Sequence, residues 1–165
     1  MEKGGIFDNN IRASIYEFIL KNPGLHMCAI SRKMNIPKST LNYHLRCLIN
    51  DGYITQKQNG RYSRYYVKNA VGEHEKKMIS LIRQEIPYRI LLLLFLDPNA
   101  SQTQLGEYLD RHPTTVSFHM DKLIELGMIE ESSSGNHIKY RLKNPERISD
   151  LVLKYRKLFH DNFIL

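Results

Sequence analysis

Cysteine is scarce in this chain, occurring only as Cys28 and Cys47, so no disulfide framework is available to hold it together. The opening residues, MEKGGIFDNN, place no apolar run behind their lysine, and no secretory leader is expected there. The two thiols are therefore expected to be free, in a reducing cytoplasm. Long hydrophobic runs are missing as well. The most apolar stretch, ILLLLFL from Ile90 to Leu96, falls well short of the roughly 20 residues a spanning helix requires, and reads as buried core. There is no phosphate-cradling glycine loop, no G-x-S-x-G and no H-E-x-x-H, so nothing points to an enzyme or to a cofactor. Acidic residues are sparse in the first half only. Residues 1–80 hold 13 Lys and Arg against 6 Asp and Glu, a net +7, whereas residues 81–165 hold 11 of each. The entire basic excess of the chain is thus in its first half, which suggests a polyanionic partner: nucleic acid first, an anionic membrane surface second.

What is present fits a globular chain. The 165 residues are 42% hydrophobic and 25% charged, enough for one ordinary domain or two small ones. The second option is favoured by an internal repeat. Shifted by 75 residues, Ile15–Asn69 lies over Ile90–Asn144 without a gap, and 12 of the 55 pairs are identical. The identities fall on turn glycines and periodic apolar positions, among them His44/His119, Leu48/Leu123, Gly52/Gly127, Ile54/Ile129 and Tyr65/Tyr140. A period this long indicates paired small domains, because solenoid repeats run about 20–50 residues.

Each copy parses alike. Arg12–Leu20 has a helical pattern that stops at Asn22-Pro23-Gly24. A second helix is expected over Met27–Met34 and a third over Lys38–Asn50, with Pro37 at its start and Gly52 where a left-handed cap favours glycine. Tyr53–Lys57 and Tyr62–Val67 read as strands, with Asn59-Gly60 as the hairpin turn. Helix, helix, turn, helix and hairpin make a winged helix-turn-helix. The second copy repeats it with Asp97-Pro98-Asn99 as breaker, helices at Gln102–Leu109 and Thr114–Leu126, Gly127 as cap and a hairpin turning at Gly135-Asn136. Between the copies, Glu73–Ile86 is helical in pattern, with Pro87 expected to end it. A final amphipathic helix is expected over Pro145–Phe163, its stripe built from Ile148, Leu151, Val152, Tyr155, Leu158 and Phe159. The fold class expected is mainly α with small β-hairpin wings (α+β): a basic winged domain over 1–71, a linker helix over 72–87, a neutral to acidic winged domain over 88–144 and a terminal helix over 145–165.

The stretches NPGLHMCAISRKMNIPKSTLNYHLRCLINDGYI and NGRYSRYYV, with the degenerate copy PTTVSFHMDKLIELGMIE, resemble the ArsR/MarR-like winged-helix transcription regulators, and more closely the tandem winged-helix regulators common in archaea. The resemblance covers roughly Arg12–Asn144. It implies double-stranded DNA as partner, the third helix of a unit in the major groove and the hairpin on the backbone or in a minor groove. Because the same fold also serves to bind proteins, the surface has to decide.

On a helical wheel Leu41, Leu45, Leu48 and Ile49 share the buried side, with His44 flanking it. Ser39, Asn42, Tyr43, Arg46 and Asn50 lie opposite, with Lys38 and Thr40 at the helix start. Asn suits adenine edges, and Arg suits guanine edges or phosphate. The hairpin adds Lys57, Arg61 and Arg64. In the second copy Arg46 becomes Asp121, Asn50 becomes Glu125, Lys57 becomes Ser132 and Arg61 becomes Asn136. Lys38–Val67 carries five cations and one acid; Pro113–Leu142 carries three cations and four acids. The first unit is therefore the expected DNA binder, with Thr114, Thr115, Ser117, Lys122 and Lys139 as weaker secondary contacts.

Three other readings stand beside this one. His26 with Cys28, and His44 with Cys47, raise a metal- or thiol-responsive repressor, although the spacing matches no closed ligand set and no metal site is expected. The acidic second unit could dock a protein of the transcription or replication machinery. The stripe of the last helix either caps its own domain or, with the linker helix, pairs two copies of the chain; two units in one chain also mimic a two-fold dimer internally.

Overall fold

The computed structural model describes residues 10–134 and 137–155, and the chain divides into two compact units, 1–76 and 77–165. Unit 1 opens with α1 (Asn10–Lys21), β1 (Leu25–His26), α2 (Met27–Met34) and α3 (Lys38–Asn50). It continues with β2 (Ile54–Asn59), β3 (Tyr62–Val67) and the start of α4 (Glu73–Ile82). Unit 2 contains α5 (Glu85–Leu96), α6 (Gln102–Leu109), α7 (Pro113–Glu125), β4 (Ile129–Ser134), β5 (His137–Leu142) and α8 (Pro145–Tyr155).

The 75-residue shift read from the sequence carries the bounds of α1, α2, α3, β2 and β3 onto those of α5, α6, α7, β4 and β5 without a residue of error. It also carries the β1–β3 pairing Leu25↔Tyr65 onto the bridge Ala100↔Tyr140. Local chemistry explains why both copies stop their helices in the same places. After α3, Gly52 adopts φ +78°, its N–H donates to Ile49 O at 3.0 Å and the Tyr53 N–H donates to Leu48 O at 2.9 Å. After α7, Gly127 adopts φ +65°, with the matching bonds to Ile124 O at 2.8 Å and from Met128 to Leu123 O at 2.9 Å. These are the two bonds of a Schellman motif, which satisfies the last helical carbonyls and turns the chain sharply into the first wing strand.

The helix starts differ. Ser101 and Gln104 form a reciprocal capping box at α6, whereas at α2 the cap is His26, whose imidazole accepts from the Ala29 N–H at 3.2 Å. Pro37 sits just before α3 rather than inside it, and Pro113 is the first residue of α7.

Each unit builds its core from the repeated positions. Ile15, Ile19, Ile30, Leu41, Leu45, Leu48, Ile54, Tyr65 and Val67 are buried in unit 1. So are their counterparts Ile90, Leu94, Leu105, Val116, Met120, Leu123, Ile129, Tyr140 and Leu142 in unit 2. Burying an aliphatic side chain is worth about 1.5–3 kcal/mol, so these shared positions are the main reason each unit folds.

Two expectations are corrected. The linker helix does not run to Ile86 and is not ended by Pro87. It stops at Ile82, and Pro87 lies buried in the first turn of α5. A proline there loses no helical hydrogen bond, because the first four N–H groups of a helix have no intrahelical acceptor. The first wing does not turn on Asn59-Gly60. Asn59 still pairs with Tyr62, so the loop is Gly60-Arg61, with φ +58° at Gly60 alone. A two-residue hairpin loop with glycine leading and an ordinary residue second suits the twist of the flanking strands. The expected turn at Gly135-Asn136 and the last helix beyond Tyr155 lie outside the described residues. Within them, Ile148, Leu151, Val152 and Tyr155 of α8 are buried in the single chain. No described helix is long and apolar enough to cross a membrane.

Candidate nucleic-acid interface

The helix α3 sorts its residues as an amphipathic helix must. Leu41, Leu45 and Leu48 are buried, and His44 is buried with them. Ser39, Tyr43, Arg46 and Asn50 form an exposed stripe at helical spacing, with Lys38 exposed at the N-terminal end and Thr40 and Asn42 half-buried at its margins. Tyr43 keeps 61% of its surface exposed, which no packing need explains. On the wing, Arg61 is exposed at the second loop position. Lys57 is exposed too, and its Nζ lies 3.2 Å from Glu73 Oε2 at the start of α4.

Arg64 does not join this set. It is 7% exposed, and its Nη1 donates to the carbonyl of Gly24 at 2.8 Å. Strand β3 is the middle strand of the sheet, between β1 and β2, and its last four residues, 64–67, are all buried, so an arginine there cannot reach out. Burial lowers its pKa, with Tyr66 acting in the opposite sense. The sequence groups Arg64 with Lys57 and Arg61 as a basic residue of the hairpin; the third strand, β1, is what encloses it.

The three tyrosines of β3 differ in setting. Tyr65 and Tyr66 are buried, but Tyr62 is 53% exposed and stacks on His26 at 4.9 Å between ring centroids. His26 is thus occupied twice over, as helix cap and as stacking partner. Cys28 is exposed and Cys47 half-buried, and among the described residues no three His, Cys, Asp or Glu side chains converge as a metal would need.

The corresponding face of unit 2 has a different character. Thr114, Phe118, Asp121 and Glu125 form the exposed stripe of α7, with Thr115 and Ser117 half-buried. Its cations are engaged within the unit. Lys122 Nζ lies 4.0 Å from the centroid of the Phe118 ring, Arg141 Nε donates to Glu130 at 2.8 Å and Lys139 Nζ donates to Gln104 at 3.4 Å. Thr114 is tied to the cap of its own helix, its hydroxyl 2.8 Å from His112 Nδ1. Asp121, Glu125 and Glu131 make no ion pair among the described residues.

The two histidines kept by both copies, His44 and His119, lie at the same point of α3 and α7. Each Nδ1 is buried without a hydrogen-bond partner. Burial lowers both pKa values, with Arg12 adding to it at His44 and Lys122 at His119.

A family model described as an N-terminal HTH domain matches residues 9–79, and one described as winged helix-turn-helix DNA-binding matches residues 83–130. The chain carries two helix-turn-helix domains in tandem. It is 30% identical over 149 residues to the uncharacterized HTH-type transcriptional regulator MJ1398 of Methanocaldococcus jannaschii, a match that spans 90% of this chain and 36% of that protein. A second regulator of that organism, the uncharacterized HTH-type MJ0774, is 36% identical over 52 residues, 32% of this chain and 13% of its own length. The matches thus span 36% of the length of the first curated relative and 13% of the second. Among solved structures, reduced HlyU from Vibrio cholerae superposes on 51% of this chain and 87% of its own, at 21% identity and a TM-score of 0.44.

Proposed function

We propose that the chain is a sequence-specific DNA-binding transcription regulator of the ArsR/MarR-like winged-helix type, working in the cytoplasm and reading double-stranded DNA with unit 1. In this reading α3 enters the major groove. Asn42, Tyr43 and Arg46 meet base edges, Lys38, Ser39 and Thr40 meet phosphates at the helix start, and Arg61 and Lys57 follow the backbone or a minor groove from the wing. The observation that carries it is the contrast between two superposable stripes. Ser39, Tyr43, Arg46 and Asn50 are exposed on α3, and Thr114, Phe118, Asp121 and Glu125 are exposed on α7. Losing the cation and gaining two acids removes the phosphate attraction that supplies most non-specific affinity. Thr114, Thr115, Ser117, Lys122 and Lys139 remain as secondary contacts of unit 2, weaker because Thr114, Lys122 and Lys139 are already engaged.

A second role is favoured for unit 2 by the exposed Phe118 on the same stripe of α7 as the exposed Asp121 and Glu125. Such a face fits a protein of the transcription machinery better than a phosphate backbone, and a regulator can bind DNA with one unit and recruit with the other.

Selection from a random duplex library tests the main reading. An enriched motif, lost when Arg46 and Arg61 are both changed to Glu, is the expected outcome. Recovery of the same motif by the doubly reversed variant would overturn the site assignment, and absence of any enrichment would overturn sequence-specific binding.

A further inference from the structure

One acidic residue sits among the cations of the wing and was not visible from the sequence. Glu73 divides its carboxylate between two lysines. Its Oε1 lies 2.7 Å from Lys76 Nζ, and its Oε2 lies 3.2 Å from Lys57 Nζ. The two lysines differ sharply in setting. Lys76 is 7% exposed, and its Nζ is 5.7 Å from the centroid of the Tyr66 ring, whose hydroxyl donates to the Lys76 carbonyl at 3.3 Å. Lys57 keeps 54% of its side chain exposed on the wing.

We propose that Glu73 is a positioning residue for DNA binding: its Oε2 occupies the place of a phosphate oxygen on Lys57 and yields it when the wing meets the backbone. The inference rests on the reading that Lys57 faces DNA. The exchange is easy for two reasons. An exposed ion pair of this kind is weak, so a phosphate at the same distance competes well with it. Release also strands nothing, because Glu73 keeps Lys76 through Oε1, and the buried Lys76 keeps its counter-ion. Until DNA arrives, the carboxylate holds the Lys57 ammonium in place and masks its charge. It also joins the wing to the first turn of α4, so occupancy of the wing is felt at the start of that helix.

A double-mutant cycle on the full chain, read as affinity for duplex DNA at low salt, tests the proposal. Lys57→Gln should weaken binding; an unchanged affinity would show that Lys57 does not face DNA, which defeats the wing reading itself. In the otherwise unaltered chain Glu73→Gln should tighten binding about two- to fivefold, the size of an exposed ion pair removed from competition. In the Lys57→Gln background the same change should have no effect. Equal tightening in both backgrounds would mean that Glu73 acts only through its long-range charge. No tightening, beside a clear Lys57→Gln loss, would mean that it does not compete at all. Either result overturns the proposal. If Glu73→Gln lowers the melting temperature, the unaltered chain carries the test. The side-chain carboxyl resonance of Glu73 should move on DNA binding together with the Lys57 ammonium, and a shift of Lys57 alone would overturn the exchange.

Discussion

Arg64 donates through Nη1 to the carbonyl of Gly24 at 2.8 Å, from the middle strand of the wing to the turn that follows α1. The same turn is closed by the Gly24 N–H, which donates to Tyr65 O at 2.8 Å, with Gly24 at φ +78°. An arginine that charge and position would place on DNA is therefore a clamp within unit 1. Replacing it with alanine leaves a buried carbonyl without its donor and removes a packed stem, which should cost about 1–3 kcal/mol of stability in urea unfolding. Salt dependence of DNA binding by Arg64→Ala should match that of the unaltered chain. A shallower slope with unchanged stability would return Arg64 to the interface.

Tyr43 carries the opposite expectation. It is exposed at 61%, and its ring meets that of His44 in a T-shaped arrangement, at 5.2 Å between centroids. Tyr43→Ala should change stability by no more than about 0.5 kcal/mol, as surface substitutions do. It should lower affinity for the selected duplex by about 1–3 kcal/mol, the size of a good base contact. Phe118→Ala in the matching position of α7 should leave DNA affinity unchanged. Equal losses from the two variants would show that both recognition helices read DNA.

His44 and His119 set a pH dependence whose sign follows from burial. Both are held below the ordinary value of 6.5 in the folded chain. Above that value folded and unfolded chains are both neutral at these sites, and the stability contribution is complete. As pH falls from 6.5 towards the lowered folded values, the unfolded chain takes up protons first and stability is lost. Urea unfolding from about pH 7.5 down to about pH 5.5 should show this fall, and His44→Leu with His119→Leu should flatten it. A fall of the same size in the double variant would assign it to other groups.

The repeat made most of the fold legible. Its apolar pairs are the core, its turn glycines are the Schellman caps, and one shift maps five elements of unit 1 onto unit 2. The stripe of α3 was legible for the same reason: three leucines at helical spacing fix which side faces out. The misreadings came from interactions between residues distant in sequence. Arg64 was misplaced because β1, only two residues long, turns β3 into a central strand. Glu73 went unnoticed because its partner Lys57 lies on the wing, beyond any local pattern. Pro87 was read as a stop because a proline fits the end of one helix and the first turn of the next equally well.

The division of labour between the units is tested most directly by the salt dependence of duplex binding in three full-length proteins: the unaltered chain, Arg46→Ala with Arg61→Ala, and Lys122→Ala with Lys139→Ala. Each phosphate contact removed should lower the slope of log affinity against log salt by about 0.9. The unit 1 pair should lose most of the affinity and up to about two contacts' worth of slope, while the unit 2 pair should stay close to the unaltered chain. A larger loss from Lys122→Ala with Lys139→Ala would contradict the assignment of DNA binding to unit 1.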